Sequence, residues 1–144
     1  MRCYLIDIDG TLCNNEHRVH HILNSPKDWD SFFSGCADDK PIEHILDLVD
    51  DLAQSAFIVL VSGRPERTRQ ATIEWLNQHG VHFAALYMRA DGDHRDDDII
   101  KIELLAQLRA DGYAPVLAFD DRTRVVQAWR ANGIPCAQVA PGDF

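Results

Sequence analysis

The chain has 144 residues, 46% hydrophobic and 26% charged, ordinary values for one globular core that exclude the disordered and fibrous classes. Twenty-three acidic residues against fourteen basic ones leave a formal charge of −9, which disfavours a broad nucleic-acid footprint or docking on an anionic membrane but leaves room for a small, locally basic site. The longest strictly apolar run, Ala56–Val61, is six residues, and the four cysteines form no C-x-x-C pair, so no membrane span and reduced thiols in a cytoplasm are expected.

In chain order, Cys3–Ile8 reads as a short hydrophobic strand ending in carboxylates, and Asp7 and Asp9 interrupt the apolar run too early for a secretory leader. Residues Cys13–Lys40 carry Trp29, Phe32 and Phe33 among Gly and Pro breaks with no clear period; they are expected to form a small flap or cap. Pro41–Gln54 predicts a helix, with Pro41 in its first turn and an apolar stripe of Ile42, Ile45, Leu46, Val49, Leu52 and Ala53. Phe57–Val61 predicts a buried strand followed directly by Ser62-Gly63-Arg64, and Pro65 opens a helix that Gly80 stops. Phe83–Met88 predicts a third strand. A helix follows from Asp97 to about Gly112, then a strand over Val116–Phe119 closing on Asp120-Asp121. A helix ending at Gly133 and a last strand over Cys136–Val139 complete the chain. Strands alternating with helices predict one α/β domain over residues 1–144 with a mainly parallel central sheet, the flap leaving the first strand at its carboxyl end.

Three polar clusters thus stand at strand ends that such a fold brings together: Asp7/Asp9, Ser62-Gly63-Arg64 and Asp120-Asp121. Carboxylates held close repel one another and raise each other's pKa, a cost that a divalent cation relieves. Oxygen donors without Cys or His ligand spacing favour Mg²⁺, which commonly shares its coordination sphere with phosphate oxygens. One carboxylate can then attack phosphorus, and a second two residues on can protonate the leaving oxygen and later activate water. Ser62 with backbone N–H groups at a helix start suits the phosphoryl oxygens. Lys101, near the start of its own helix, can neutralise developing charge.

Asp7-Ile8-Asp9-Gly10-Thr11-Leu12, Ser62-Gly63-Arg64, Lys101 and Asp120-Asp121 resemble, in order, the four motifs of the haloacid dehalogenase (HAD) phosphohydrolase superfamily. Arg89-x-x-Gly92-Asp93-x-Arg95-x-Asp97-Asp98-x-x-Lys101 and Asp120-Asp121-Arg122-Thr123-x-Val125-Val126-x-x-Trp129-Arg130-x-x-Gly133 are similar to the phosphatase domain of bacteriophage polynucleotide kinase-phosphatase. So is the tail Gln138–Phe144. The resemblance implies a three-layer Rossmann-like HAD fold and a Mg²⁺-dependent phosphatase that removes a 3′-phosphate from a nucleic-acid end or nucleotide through an aspartyl-phosphate. It implies Asp7 as nucleophile and Asp9 as general acid/base and metal contact. Ser62, Gly63, Arg64 and Lys101 would bind phosphate, Arg89 and Arg122 would lie on the substrate side, Asp97 would support them, and Asp120 and Asp121 would complete the metal site with Asp7 and Asp9. It also implies a bacterial or phage-infected cell.

Two departures stand out. No G-x-x-x-x-G-K-[ST] phosphate loop occurs, so a phosphatase alone is expected, with the kinase or ligase step left to a separate partner. Residues 13–40 match no part of the resemblance. The helix over Pro41–Gln54 carries four acidic residues and no Lys or Arg, whereas Arg64, Arg67, Arg69, Arg89, Arg95, Arg122 and Arg124 gather near the expected site. That distribution suits a short grip on one or two phosphates rather than a long groove. A small-molecule phosphatase, for a mononucleotide or sugar phosphate, and a phosphate- or metal-sensing module without turnover are the competing readings. His17, His20 and His21 lack the partners of a zinc set, Trp29, Phe32 and Phe33 are expected to be the flap's own core, and Trp75 and Trp129 are expected in the main core.

Overall fold

The computed structural model describes residues 1–144. The first half of the chain runs through β1 (Arg2–Ile6), β2 (Cys13–Asn14), α1 (Glu16–Leu23), α2 (Trp29–Ser34), β3 (Lys40–Pro41), α3 (Glu43–Leu52) and β4 (Phe57–Pro65). The second half runs through α4 (Arg69–Gln78), β5 (Ala85–Arg89), α5 (Asp97–Ala110), β6 (Ala114–Asp120), α6 (Thr123–Ala131) and β7 (Cys136–Gln138). Five strands form one sheet in the order β5-β4-β1-β6-β7, every neighbouring pair parallel. The α/β class with a parallel central sheet is therefore the architecture of the molecule.

Parallel strands are covered by helices on both faces, so both side-chain sets must be apolar. Leu5, Val59, Val61 and Ala118 point to one face and pack on Leu104 and Leu108 of α5 and Val126 and Trp129 of α6. Their sequence neighbours Ile6, Ile58 and Leu60 point to the other face, onto Ile45 and Val49 of α3 and Trp75 and Leu76 of α4. The two expected core tryptophans, Trp75 and Trp129, are both buried. No helix is long and apolar enough to cross a membrane.

The chain starts at the sheet centre, steps outward through β4 to β5, then returns to the other side of β1 at β6. The carboxyl ends of β4, β1 and β6 consequently lie side by side at the point where strand order reverses, the usual ligand crevice of open α/β sheets.

Residues between β1 and α3 leave on a two-stranded antiparallel neck, Cys13 opposite Pro41 and Asn14 opposite Lys40, and carry α1, α2 and a one-turn 3₁₀ segment, Gly35–Asp38. Asp28 caps α2 by accepting the Ser31 amide, a side chain satisfying an orphan helical donor. The helix expected from Pro41 begins at Glu43 instead, because Pro41 belongs to the neck and Ile42 is extended. The strand expected to end at Val61 continues to Pro65, since β4 resumes pairing with Arg89 of β5 beyond an irregularity after Ser62. The three insert aromatics pack on one another as expected, with ring centroids 5.8, 5.8 and 5.1 Å apart. Phe32 is buried and Phe33 partly so, while Trp29 leaves 44% of its surface exposed at the edge of this small core.

Candidate active site

Backbone register sets the site. The Asp7 amide donates to Phe119 O at 3.0 Å, extending the β1–β6 ladder by one residue beyond β1 and placing Asp7 beside Asp120. The chain then turns back at Gly10, with φ +82°, and the amides of Leu12 and Cys13 donate to Ile8 O. A Cβ at Gly10 would collide with the Asp121 carboxylate, so this glycine serves both the left-handed backbone and the close approach. Gly10→Ala is expected to cost on the order of 1–3 kcal/mol and to weaken divalent-cation binding, read by denaturant melts with and without the cation. Unchanged melts would mean that Asp121 does not depend on this turn.

Asp7 is buried and fully engaged. Lys101 Nζ donates to its Oδ1 at 2.7 Å and Thr11 Oγ1 to its Oδ2 at 2.9 Å. Lys101, in the first half of α5 and 1% exposed, also donates to Asp120 Oδ2 at 2.8 Å. Asp120 Oδ1 accepts the amides of Asp121 and Arg122, and Trp129 Nε1 lies 3.4 Å from Oδ2. Asp7, Asp120 and Asp121 each present a carboxylate oxygen, all within 4.8 Å of one another.

Three carboxylates against one ammonium leave two uncompensated negative charges here. Burial and the charge of Asp120 raise the Asp7 carboxyl well above the usual carboxylate range, Lys101 offsetting only part of the effect. Burial and Asp120 likewise push Asp121 up to about 6. A hard divalent cation such as Mg²⁺ matches an all-oxygen donor set of this charge. For Lys101, burial alone would favour the neutral amine, but Asp120 and Asp7 outweigh it and hold the ammonium charged.

Asp9 lies in a different environment. Its side chain is 23% exposed and faces Arg64, whose Nε and Nη2 donate to it at 3.0 and 2.8 Å, and Arg18 Nη2 on α1. Burial pushes Asp9 up, but the charge and hydrogen bonds of Arg64, then the charge of Arg18, outweigh it and hold the carboxylate well below the usual range. Asp39, at the end of the insert and wholly buried, accepts from Arg18 Nε at 2.8 Å and from Arg64 Nη2 at 3.1 Å, and His17 Nε2 lies 2.6 Å from it. Two guanidiniums and two carboxylates close a neutral cluster, half from the sheet and half from the insert. Cys13 sits among them as a buried thiol.

A third group lines the β4–β5 side. Ser62 is buried and its Oγ accepts the Arg64 amide at 3.1 Å. Arg89 Nε donates to Gly63 O at 2.8 Å, and its Nη2 lies 3.3 Å from Asp97 Oδ1. Arg122 Nη1 lies 3.9 Å from Asp97 Oδ2, with its Nε on Phe144 O. A Cβ at Gly63 would collide with the Asp97 carboxylate, so the glycine of Ser62-Gly63-Arg64 leaves the space that this side chain occupies.

Of the residues expected from sequence, Asp7, Lys101, Asp120 and Asp121 meet in one acidic centre. The Asp9 side chain stands outside that set, and the Arg64 donors are directed at Asp9, Asp39 and Thr72 Oγ1 rather than at open space. Arg89 and Arg122 flank Asp97. Sequence reasoning singled out neither Thr11, although it lies inside the first motif, nor Arg18 and Asp39. Nothing in the spacing of those last two marks burial; only their contact across 21 residues explains it.

The whole chain, residues 1–144, matches the family model of the polynucleotide kinase PNKP phosphatase domain. A protein of Autographa californica nuclear polyhedrosis virus, described as a bifunctional polynucleotide kinase/RNA ligase, is 28% identical over 137 residues, covering 93% of this chain and 18% of its own. A chain of the Pnkp1/Rnl/Hen1 complex is 30% identical with TM-score 0.83, covering 99% of this chain and 47% of its own. The class C acid phosphatase of Bacillus anthracis, 17% identical with TM-score 0.70 and covering 99% of this chain and 67% of its own, shares the fold. The chain thus spans half or less of the length of the first two proteins.

Proposed function

The chain belongs to the family of the polynucleotide kinase PNKP phosphatase domain, and from that premise we propose that it is a Mg²⁺-dependent phosphomonoesterase removing the 3′-phosphate of a nucleic-acid end. The observation that carries this reading is a pair of carboxylates two residues apart in opposed environments. Asp7 is clamped by Lys101 and Thr11 inside an acidic centre, and Asp9 is held by two arginines. Divergent environments of neighbouring carboxyls are the usual basis for dividing nucleophile and acid/base roles.

Asp7, Asp120 and Asp121 would hold Mg²⁺, which when bound neutralises carboxylate and phosphoryl oxygens. An Asp7 oxygen attacks phosphorus, the bond to the leaving oxygen breaks, and Asp9 gives that oxygen a proton. Asp9 rests as an anion, so it takes this proton from solvent water as the negative phosphate approaches and raises its proton affinity by like-charge repulsion. Water then attacks the phosphorus of the acyl phosphate and delivers a proton to Asp9, releasing phosphate and restoring Asp7. Lys101, Ser62 Oγ and the amides of the Ser62–Arg64 turn would meet the phosphoryl oxygens. Arg89 and Arg122, aligned by Asp97, would receive the next charge of the substrate. Arg64 would act mainly by positioning Asp9.

In this reading residues 13–40 are a cap over the sheet's carboxyl edge. The net charge of −9 limits the footprint to a terminal phosphate and a nucleotide or two. A kinase or ligase acting on the same ends is the expected partner, as the kinase/ligase and Pnkp1/Rnl/Hen1 likenesses suggest.

The test is purified protein with Mg²⁺ on a matched panel: a 3′-phosphorylated oligonucleotide, its 5′-phosphorylated twin, 3′- and 5′-mononucleotides and a sugar phosphate. Release of phosphate from the 3′-end alone is expected. Equal rates on both ends, or activity confined to sugar phosphates, would overturn the substrate assignment.

The acidic centre predicts a pH signature. A carboxyl with a raised folded pKa binds its proton more tightly in the folded chain, so stability is highest below the ordinary carboxyl range. Metal-free protein should lose stability as pH rises from about 4 through the Asp121 value of about 6. Asp9 works oppositely: its contribution is full above the ordinary range and is lost only as pH falls below it. Mg²⁺ at 100 times its Kd should restore about 2.7 kcal/mol at neutral pH, or roughly 5–10 °C in Tm for a chain of this size. A flat Tm between pH 4 and 7, with no response to Mg²⁺, would remove the acidic centre as the metal site.

A further inference from the structure

We propose that Trp29 and Phe33 of α2, flanked by Lys27 and Arg67, form a stacking platform for the base of the nucleotide adjoining the phosphorylated end of a single strand. Trp29 and Phe33 stack with ring centroids 5.8 Å apart and planes at 23°. Lys27 Nζ lies 5.6 Å from the Trp29 ring and Arg67 Cζ 5.6 Å from the Phe33 ring. The sequence cation–indole–phenyl–cation is thus built from two elements, the insert and the turn after β4.

Burial argues against a purely structural role. Packing requires Phe32, which is buried with the Arg18 guanidinium 4.5 Å from its ring centre. Trp29, by contrast, is 44% exposed, and Lys27 is exposed above it. A large indole is left half in water with the Lys27 ammonium over its ring, next to the Arg67–Asp30 ion pair. Aromatic faces beside cations are the general means by which single-stranded nucleic acid is held without sequence readout. Lys27 sits on an exposed stem, so its ammonium can move from the indole to a backbone phosphate while the base takes the indole face.

Position supports the same ligand. Arg67 follows the carboxyl end of β4 by two residues, its amide donates to Asp91 just beyond β5, and its guanidinium pairs with Asp30 of α2. A cleft of about 280 Å³ between α2 and this turn has Phe33 and Arg67 on its walls and Cys36 among its lining residues. The platform therefore stands on the rim that also carries Asp7, Asp9 and Ser62, displaced toward β5. In this arrangement the 3′-phosphate lies at Asp7 and the adjoining nucleotide along that rim toward α2.

This inference rests on the nucleic-acid-end reading, but its first test does not need turnover. Trp29 is the exposed one of three tryptophans, Trp75 and Trp129 being 2% and 1% exposed, so intrinsic fluorescence reports on it. A five-nucleotide single strand with a 3′-hydroxyl, added without Mg²⁺, should quench that emission saturably, and Trp29→Phe should lose the quench. Absence of quenching in the wild type would overturn the platform. In the second test, Trp29→Ala should raise KM for a 3′-phosphorylated oligonucleotide about 5–30-fold with kcat retained. The oligonucleotide-to-mononucleotide ratio of kcat/KM should fall toward one, and Trp29→Phe should restore it. An unchanged ratio in Trp29→Ala would also overturn the platform. Wild-type protein inactive on 3′-ends yet quenched by the strand would overturn the activity and leave the platform standing.

Discussion

Asp7→Asn is expected to lower kcat on a 3′-phosphorylated oligonucleotide by at least about 10⁴-fold, because the amide cannot form the acyl phosphate. The fold should survive. The introduced carboxamide oxygen can still accept from Lys101 or Thr11, and the substitution removes one of the three carboxylates gathered around a single ammonium. Metal-free Asp7→Asn should therefore match or exceed the wild type in Tm near pH 7, while its Mg²⁺-induced gain shrinks. Single-turnover assays and melts on the same samples separate these effects. Turnover within tenfold of wild type would eliminate Asp7 as nucleophile, and a collapsed melt would show that its charge is needed for the fold. Lys101→Met should behave differently: it leaves three carboxylates without their ammonium and is expected to destabilise metal-free protein as well as slow phosphoryl transfer.

The second large effect is expected at the four-charge cluster. Arg18, Arg64 and Asp39 have side chains no more than 1% exposed, so removing one partner leaves a buried charge uncompensated, typically at about 3–5 kcal/mol. Arg18→Met or Asp39→Leu should accordingly lower Tm by on the order of 10 °C. The double variant Arg18→Met/Asp39→Leu removes one charge of each sign and should recover much of that loss, since apolar replacement of a buried pair is often close to neutral. Activity should not recover in parallel, because Asp9 then keeps Arg64 alone. Denaturant melts with kcat measurements on the three variants form a double-mutant cycle. Additive destabilisation would show that Arg18 and Asp39 do not act as a pair. Recovery of both stability and kcat would show that Asp9 needs no support from the insert.

Much of the scaffold was legible in the chain. The five strands and the helices after Pro65, Asp96 and Arg122 follow from apolar runs and periodicity, which report burial on a face of the element itself. Boundaries were less legible where pairing with a distant strand competed with local preference. Pro41 suits a first helical turn, but the neck pairing with Cys13 claims it. By local pattern the strand stops at Val61 and Pro65 opens a helix, but pairing with β5 carries β4 on to Pro65 and α4 begins at Arg69. In the insert, helical spacing is interrupted by Gly and Pro, and its anchoring comes from charges rather than from an apolar stripe. Hydrophobic pattern is blind to such contacts.

By itself, then, the sequence determined the α/β class, the carboxylates Asp7, Asp9, Asp120 and Asp121 at strand ends and Lys101 near a helix start, because the succession of elements along the chain and residue type are local properties. Only the tertiary structure decided which of these carboxylates share a centre. The lateral order β4-β1-β6 sets Asp7 against Asp120, Asp121 and Lys101. The fold-back of the insert gives Asp9 to Arg18 and Arg64. Charge interactions depend on distance and burial, and neither quantity exists until residues 21, 55 or 94 positions apart are brought within hydrogen-bonding reach.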